Sequence, residues 1–263
     1  MQDLTQKDKF DKFLEFLSIV NAAHIKGLCG YLPSWVKLLD SEHSKITIEA
    51  APLRASGKPT RDYRIEICEV TGSKIEAREV GDPTFLPKFC PQRHINHDST
   101  FCLGLKAGTL GTEAKEYVAW WRKLEVFLTS QEAARSTGIW PPEIQIAHGK
   151  AGEIQPQAEL LADKLGLREE FDEAMQLGKG RLFESVRLVR PRIHRLRNGR
   201  AECPCLLKNK NGRLKLRRKC FQGQQDCLVT TLWEMQHHEK EFWKSHRDKA
   251  CCGTMNRCPL RPI

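Results

Sequence analysis

Residues 86–105 read LPKFCPQRHINHDSTFCLGL. The stretch gathers Cys90, His94, His97 and Cys102 into thirteen residues between apolar positions. Three readings fit such a set: a cysteine nucleophile with polar helpers, a metal site, or coincidence in a cysteine-rich chain. As C-x3-H-x2-H-x4-C the four residues are a zinc-compatible ligand set. The spacing is unlike common zinc knuckles, however, and Phe101 and Leu103 flank Cys102 as at the end of a packed strand. A Cys–His hydrolase built on Cys102 and His148 has only an isolated AHGKAG in its favour. Cys29, Cys68 and Cys90 read as small buried hydrophobes.

The surroundings narrow the choice. Residues 7–22, KDKFDKFLEFLSIVNA, carry Phe10, Phe13, Leu14, Leu17 and Val20 at helical spacing. KITIEAAPLRA (45–55) and DYRIEICEV (62–70) alternate apolar and polar residues as half-buried strands do, with GKPT (57–60) as a turn between them. SKIEAREVG (73–81) reads as a third strand. Beyond the quoted stretch, residues 108–140 hold a helix capped by Thr112 and ended by Gly138. Its apolar positions include Tyr117, Val118, Trp121, Leu124, Val126 and Leu128, and Trp120 and Trp121 read as core or interface residues rather than a ligand platform. Residues 140–155 read as a loop and 155–178 as a second helical stretch.

The order helix, meander, Cys-containing loop, helix resembles the ubiquitin-conjugating enzyme (UBC) fold. The loop carries the resemblance. That family places a His-Pro-Asn motif shortly before its active cysteine, which is followed by Leu. Here RHINHDSTFCLGL supplies His94, Ile95 and Asn96, then Phe101, Cys102 and Leu103. Ile95 stands where the family has proline, and the Asn-to-Cys segment is about two residues shorter than in most eukaryotic members. The match looks like the divergent bacterial branch found in ubiquitin-like conjugation operons, and it implies antiphage defence. It also implies that Cys102 accepts a ubiquitin-like protein as a thioester from an activating enzyme and passes it to an amine on a protein target. Cysteine suits that work, being both a good nucleophile and a good leaving group. Asn96 would stabilise the oxyanion, His94 would fix the loop, and His97 and Asp98 would orient the thiol or deprotonate the amine.

Composition bounds the rest. At 263 residues and 40% hydrophobic content the chain is globular, with room for a core and an appendage. The polar start MQDLTQKDKF has no apolar signal region, and no apolar run approaches the roughly 20 residues of a membrane span. A cytoplasmic protein is expected, and there its 11 cysteines are not disulfides. Seven of them lie at or beyond Cys203: Cys203, Cys205, Cys220, Cys227, Cys251, Cys252 and Cys258. With Cys203-Pro-Cys205 as its opening pair, that region is expected to bind structural zinc, and these seven are its candidate ligands. Trp233, Phe242 and Trp243 in residues 230–249 read as a helix face packed on it.

The net charge of +10 is uneven, and residues 187–219 are strongly basic. Such a stretch suits phosphates or an acidic protein surface, or is simply solvated. The fold expected is α+β: a UBC-like antiparallel meander with flanking helices, plus a small C-terminal Cys-rich zinc module. The division expected is 1–150 catalytic, 151–200 a helical and basic connector, and 201–263 the Cys/His-rich module, whose cysteines thioester formation should not need. The alternative is a non-catalytic UBC-like scaffold or a zinc-containing nucleic-acid-binding module.

Overall fold

A computed structural model describes residues 20, 22–70, 74–105, 107–193, 195–220, 227–256 and 258–261, with the side chains of 219 and 220 outside the description. The helix expected over residues 7–22 lies almost wholly outside the described residues. The chain divides into two compact units, residues 1–141 with 250–263, and residues 142–249.

In the first unit, helix α1 (Ala23–Gly30) precedes four strands, β1 (Val36–Glu42), β2 (Lys45–Ala50), β3 (Tyr63–Val70) and β4 (Lys74–Glu79). Among the described residues these form one antiparallel sheet in the order β1-β2-β3-β4. The alternation seen in sequence sets its register. Ile46 faces Ile67, Ile48 faces Ile65 and Ala50 faces Tyr63, so one face of β2 and β3 is apolar and fully buried. Strand β1, which no alternation announced, pairs with β2 through an irregularity between Leu38 and Asp40.

Helix α2 (Ala114–Thr137) covers that apolar face with Tyr117, Trp120, Trp121, Leu124, Phe127 and Leu128. Both tryptophans are core, as their setting implied. Val118 is not: it is 54% exposed, one step round the helix from the buried stripe. The N-cap is Glu113 rather than Thr112, because Glu113 and Glu116 form a reciprocal capping box. Gly138 ends the helix at φ 71°, as expected. Helix α1 approaches α2 closely enough that the Tyr117 ring occupies the space a Cβ on Gly27 would need. The Trp121 indole donates to the Leu28 carbonyl at 3.0 Å.

A polar node is buried beside this core. Glu132, 4% exposed, accepts from the Tyr63 hydroxyl at 2.7 Å and pairs with Arg54, Arg61 and Arg135 at 3.0–3.4 Å. Burial pushes its carboxyl up, but the Tyr63 hydroxyl and the arginines outweigh this and hold it below the ordinary range.

The second unit is helical, with α3 (Lys150–Leu165), α4 (Arg168–Leu177), α5 (Gly180–Val186) and, after a two-stranded ribbon of β5 (Val189–Arg190) and β6 (Arg195–Leu196), α6 (Leu228–Ser245). The single helical stretch expected over 155–178 is two helices. Gly166, at φ 64°, ends the first, and the loop expected to reach residue 155 stops at Gly149. Phe171, Leu182, Leu228, Val229, Leu232 and Met235 form the centre of its apolar core. His148 Nδ1 lies 2.6 Å from Glu239 Oε1, and the imidazole stacks on Phe242. Among the described residues no helix is long and apolar enough to cross a membrane.

Candidate active site

Residues 90–102 form two tight turns at the edge of the sheet. Cys90 and Ile95 exchange both backbone hydrogen bonds, at 3.1 and 3.0 Å, around a short helical turn over Pro91–Arg93. Ile95 then bridges Phe101 across a second turn, closed by Asn96 N–H on the Thr100 carbonyl at 2.9 Å and Ser99 N–H on the Asn96 carbonyl at 3.0 Å. Ser99 takes the left-handed conformation, φ 67°, that such a turn requires. The hairpin is docked to β4 by Phe101 N–H on the Ala77 carbonyl at 2.8 Å, and the Phe101 ring stacks on Phe127 with centroids 4.5 Å apart. Buried Ile95 and Phe101 anchor it, so the polar residues fall at its exposed tip.

Cys102 follows this anchor directly. Its N–H donates to the His94 carbonyl at 2.7 Å, which makes His94 its neighbour on the opposite arm, and the Cys102 residue is exposed. Asn96 sits one rung nearer the tip. Its amide donates to the Thr100 hydroxyl at 3.0 Å. Asp98 accepts from the Thr100 hydroxyl at 2.7 Å and the Thr100 N–H at 3.1 Å. Partial burial raises the Asp98 carboxyl, but the two Thr100 bonds outweigh it and keep it below the usual carboxylate value. Thr100, which nothing in the sequence singled out, therefore holds both Asn96 and Asp98. Asn96, His97 and Asp98 are exposed, whereas His94 is buried at φ 54° with its ring 5.0 Å from that of Trp140.

Beneath the hairpin Arg93 is 2% exposed. Its Nε donates to Gln131 Oε1 at 2.7 Å, and Gln131 Nε2 returns a bond to the Arg93 carbonyl at 2.7 Å. A third arm of the guanidinium reaches the Thr254 hydroxyl at 3.3 Å. The sequence offered no sign of this arginine's burial.

The structure does not gather Cys90, His94, His97 and Cys102 about one point. Cys90 is buried with its sulfur 3.0 Å from that of Cys252, whereas His97 and Cys102 are exposed. His148 has an orienting carboxylate in Glu239, and both lie in the second unit, whereas Cys102 lies in the first. Cys29 is buried and Cys68 half-buried beside Glu66; burial lifts both thiols to about 11, so both stay protonated.

The late cysteines divide between the units. Cys203, Cys205 and Cys227 are buried in the core of the second. Cys203 and Cys205 sit on one arm of a hairpin bridged at Glu202–Leu216 and Lys208–Leu214, where Leu206 N–H closes a turn onto the Cys203 carbonyl at 3.0 Å. Cys227 caps the start of α6. The side chain of Cys220 is outside the described residues. Cys251, Cys252 and Cys258 lie in the first unit. The contact with Cys90 draws the Cys252 thiol down to about 5, while it and burial push Cys90 upward. Among the described residues no three His, Cys, Asp or Glu side chains are already arranged to hold a metal ion.

Two family models match the chain. One, a prokaryotic E2 domain, covers residues 36–142 and therefore the sheet, the hairpin and α2. The other, a cysteine-rich domain C-terminal to the E2 domain, covers residues 147–260. No curated protein and no solved structure matches. The meander, the Cys102 hairpin on its edge and the two consecutive matches together place the chain in one family: it is a prokaryotic E2-like protein, an E2 domain followed by its cysteine-rich domain.

Proposed function

We propose that the protein is a ubiquitin-conjugating-type acyltransferase in which Cys102 carries a ubiquitin-like protein as a thioester. The observation that carries this reading is the exposed Cys102 thiol, fixed by its own N–H across from His94 and one rung from Asn96, within a matched E2 domain.

The Cys102 thiolate attacks the acyl carbon held as a thioester on the activating enzyme. A carbon–sulfur bond forms to Cys102 as the activating enzyme's thiolate leaves. An amine of a protein target then attacks the same carbon, a carbon–nitrogen bond forms, Cys102 leaves as thiolate and the amine's proton passes to a base. The tetrahedral intermediate of this second step carries an oxyanion. An amide NH2 has two N–H bonds; Thr100 takes one from Asn96, which leaves the other to donate to that oxygen. His94 acts as a positioning residue, through the carbonyl that holds Cys102 N–H. His97 and Asp98, exposed at the tip, receive the proton or orient the incoming amine.

The donor set of the second unit fits structural zinc. Cys203, Cys205 and Cys227 are soft donors buried in one core, and Cys220 is the further cysteine that lies between them in the sequence. Zinc there supplies folding energy rather than chemistry.

The test is charging. With ATP, a cognate activating enzyme and the ubiquitin-like protein, wild-type protein should give an adduct lost on thiol reduction. Cys102→Ser should give a reduction-resistant ester or nothing. Normal charging by Cys102→Ala removes the assignment.

A further inference from the structure

The described C-terminal residues up to 261, in the same compact unit as residues 1–141, bring three cysteines to the turn beneath the Cys102 hairpin. Cys252 Sγ lies 3.0 Å from Cys90 Sγ. The Cys258 sulfur is hydrogen-bonded to that of Cys251 and interacts electrostatically with Cys252. The four sulfurs are thus one connected group.

Cys251 Sγ also accepts the Gly253 N–H at 3.4 Å, whereas the Arg93 N–H turns to the Cys90 carbonyl at 2.9 Å. Arg93, nearly fully buried, reaches the same segment through the Thr254 hydroxyl. Four thiols gathered in one place are weak partners for one another. A soft divalent cation binds four such sulfurs at once, and a tetrahedral all-sulfur set suits zinc.

We propose that Cys90, Cys251, Cys252 and Cys258 form a tetrathiolate site for a zinc-type divalent cation, which ties the C-terminal segment to the turn that supports the Cys102 hairpin. The sulfurs as they stand are packed against one another rather than spread about a centre. Zinc with Zn–S bonds of about 2.3 Å sets ligand sulfurs roughly 3.8 Å apart, so the Cys90–Cys252 pair opens by roughly 1 Å. A Cys90–Cys252 disulfide would instead close the gap to about 2.05 Å. It would consume two thiols and two electrons' worth of oxidant, and it would leave Cys251 and Cys258 outside the link. The site does not depend on Cys102 being the acyl carrier, and it is separate from the donor set of residues 203–227.

The experiment uses full-length protein purified with zinc and no reductant, then alkylated with and without a chelator and mapped by peptide mass spectrometry. Cys251 and Cys252 are only half-buried, so burial alone does not protect them. They should resist alkylation until chelator is added, while exposed Cys102 reacts throughout. Elemental analysis should show that Cys90→Ser with Cys252→Ser loses one equivalent of metal, and that Cys203→Ser with Cys205→Ser leaves this equivalent in place. Equal labelling of Cys251 and Cys252 with and without chelator overturns the proposal. So does recovery of a disulfide-linked Cys90–Cys252 peptide in place of bound metal. If the double variant does not fold, the labelling of wild-type protein decides by itself.

Discussion

Cys102 and Asn96 occupy neighbouring rungs of one hairpin, and their proposed tasks separate in time. The thiol acts in both steps, whereas the amide is needed only when an oxyanion forms opposite an incoming amine. Asn96→Ala should therefore charge normally and discharge to amines about 100-fold more slowly, read in a single-turnover chase with free lysine. Equal loss of both steps would assign Asn96 to holding the turn. Thr100→Val separates the two further, because it removes the hydroxyl bonded to Asn96 and Asp98 while keeping the side-chain volume. It should slow discharge and leave charging intact. At this scale the sequence was legible where a motif fixes residue types in order: His94, Asn96 and Cys102 stand out in the string. The roles of Thr100 and Arg93 were not, since a buried arginine looks like a surface one until Gln131, thirty-eight positions away, is placed against it.

The elements that hold the hairpin are β4 and α2, and their stability rests on a few identifiable contacts. Glu132 on α2 joins Tyr63 of β3 to three arginines. Glu132→Gln keeps the shape and removes the charge, so it should lower stability by about 3 kcal/mol in chemical denaturation. The pH sign follows from the depressed carboxyl. Its contribution is fully present above the ordinary glutamate pKa and is lost as pH falls through the lower folded value. Wild-type protein should thus lose stability in acid more steeply than the variant; parallel acid profiles would refute the assignment. Gly27→Ala tests the α1–α2 contact, where the added methyl meets the Tyr117 ring, and it should cost about 1–3 kcal/mol by thermal melting. Strands β2 and β3 were readable because one face is buried and the other is not. Strand β1 was missed because three of its residues are exposed, three are half-buried and Ser41 alone is buried, in no alternating order. The N-cap was misplaced by one residue because Thr112 and Glu113 are both capable caps, and only the reciprocal bond with Glu116 decides between them.

For the whole molecule, the sequence put the late cysteines in one terminal module because they cluster along the chain, and the cysteine-rich family match over residues 147–260 spans all seven. In the structure Cys251, Cys252 and Cys258 lie in the first compact unit, and the segment that carries them also caps α2. Asn256 N–H bonds the Gly138 carbonyl at 2.8 Å and its amide bonds the Thr137 carbonyl at 2.9 Å, while Met255 is buried. Deleting residues 250–263 should therefore destabilise the E2 unit by roughly 3 kcal/mol or more, from one buried methionine and two hydrogen bonds. A separate terminal module would have left that unit unchanged. Of the basic residues of 187–219, Arg187, Arg190, Arg192, Arg195, Arg197 and Arg200 are exposed. Nucleic-acid binding through them would show as affinity falling steeply with salt. The transferase role proposed for the E2 unit turns on Cys102 carrying the acyl group, and mass spectrometry of the protein after one round of ATP-dependent charging without reductant reads this without intermediaries. The expected product is the C-terminal peptide of the ubiquitin-like protein linked to Cys102 and released by thiol. The same peptide on another cysteine, or full charging of Cys102→Ala, would show that the acyl group is carried elsewhere.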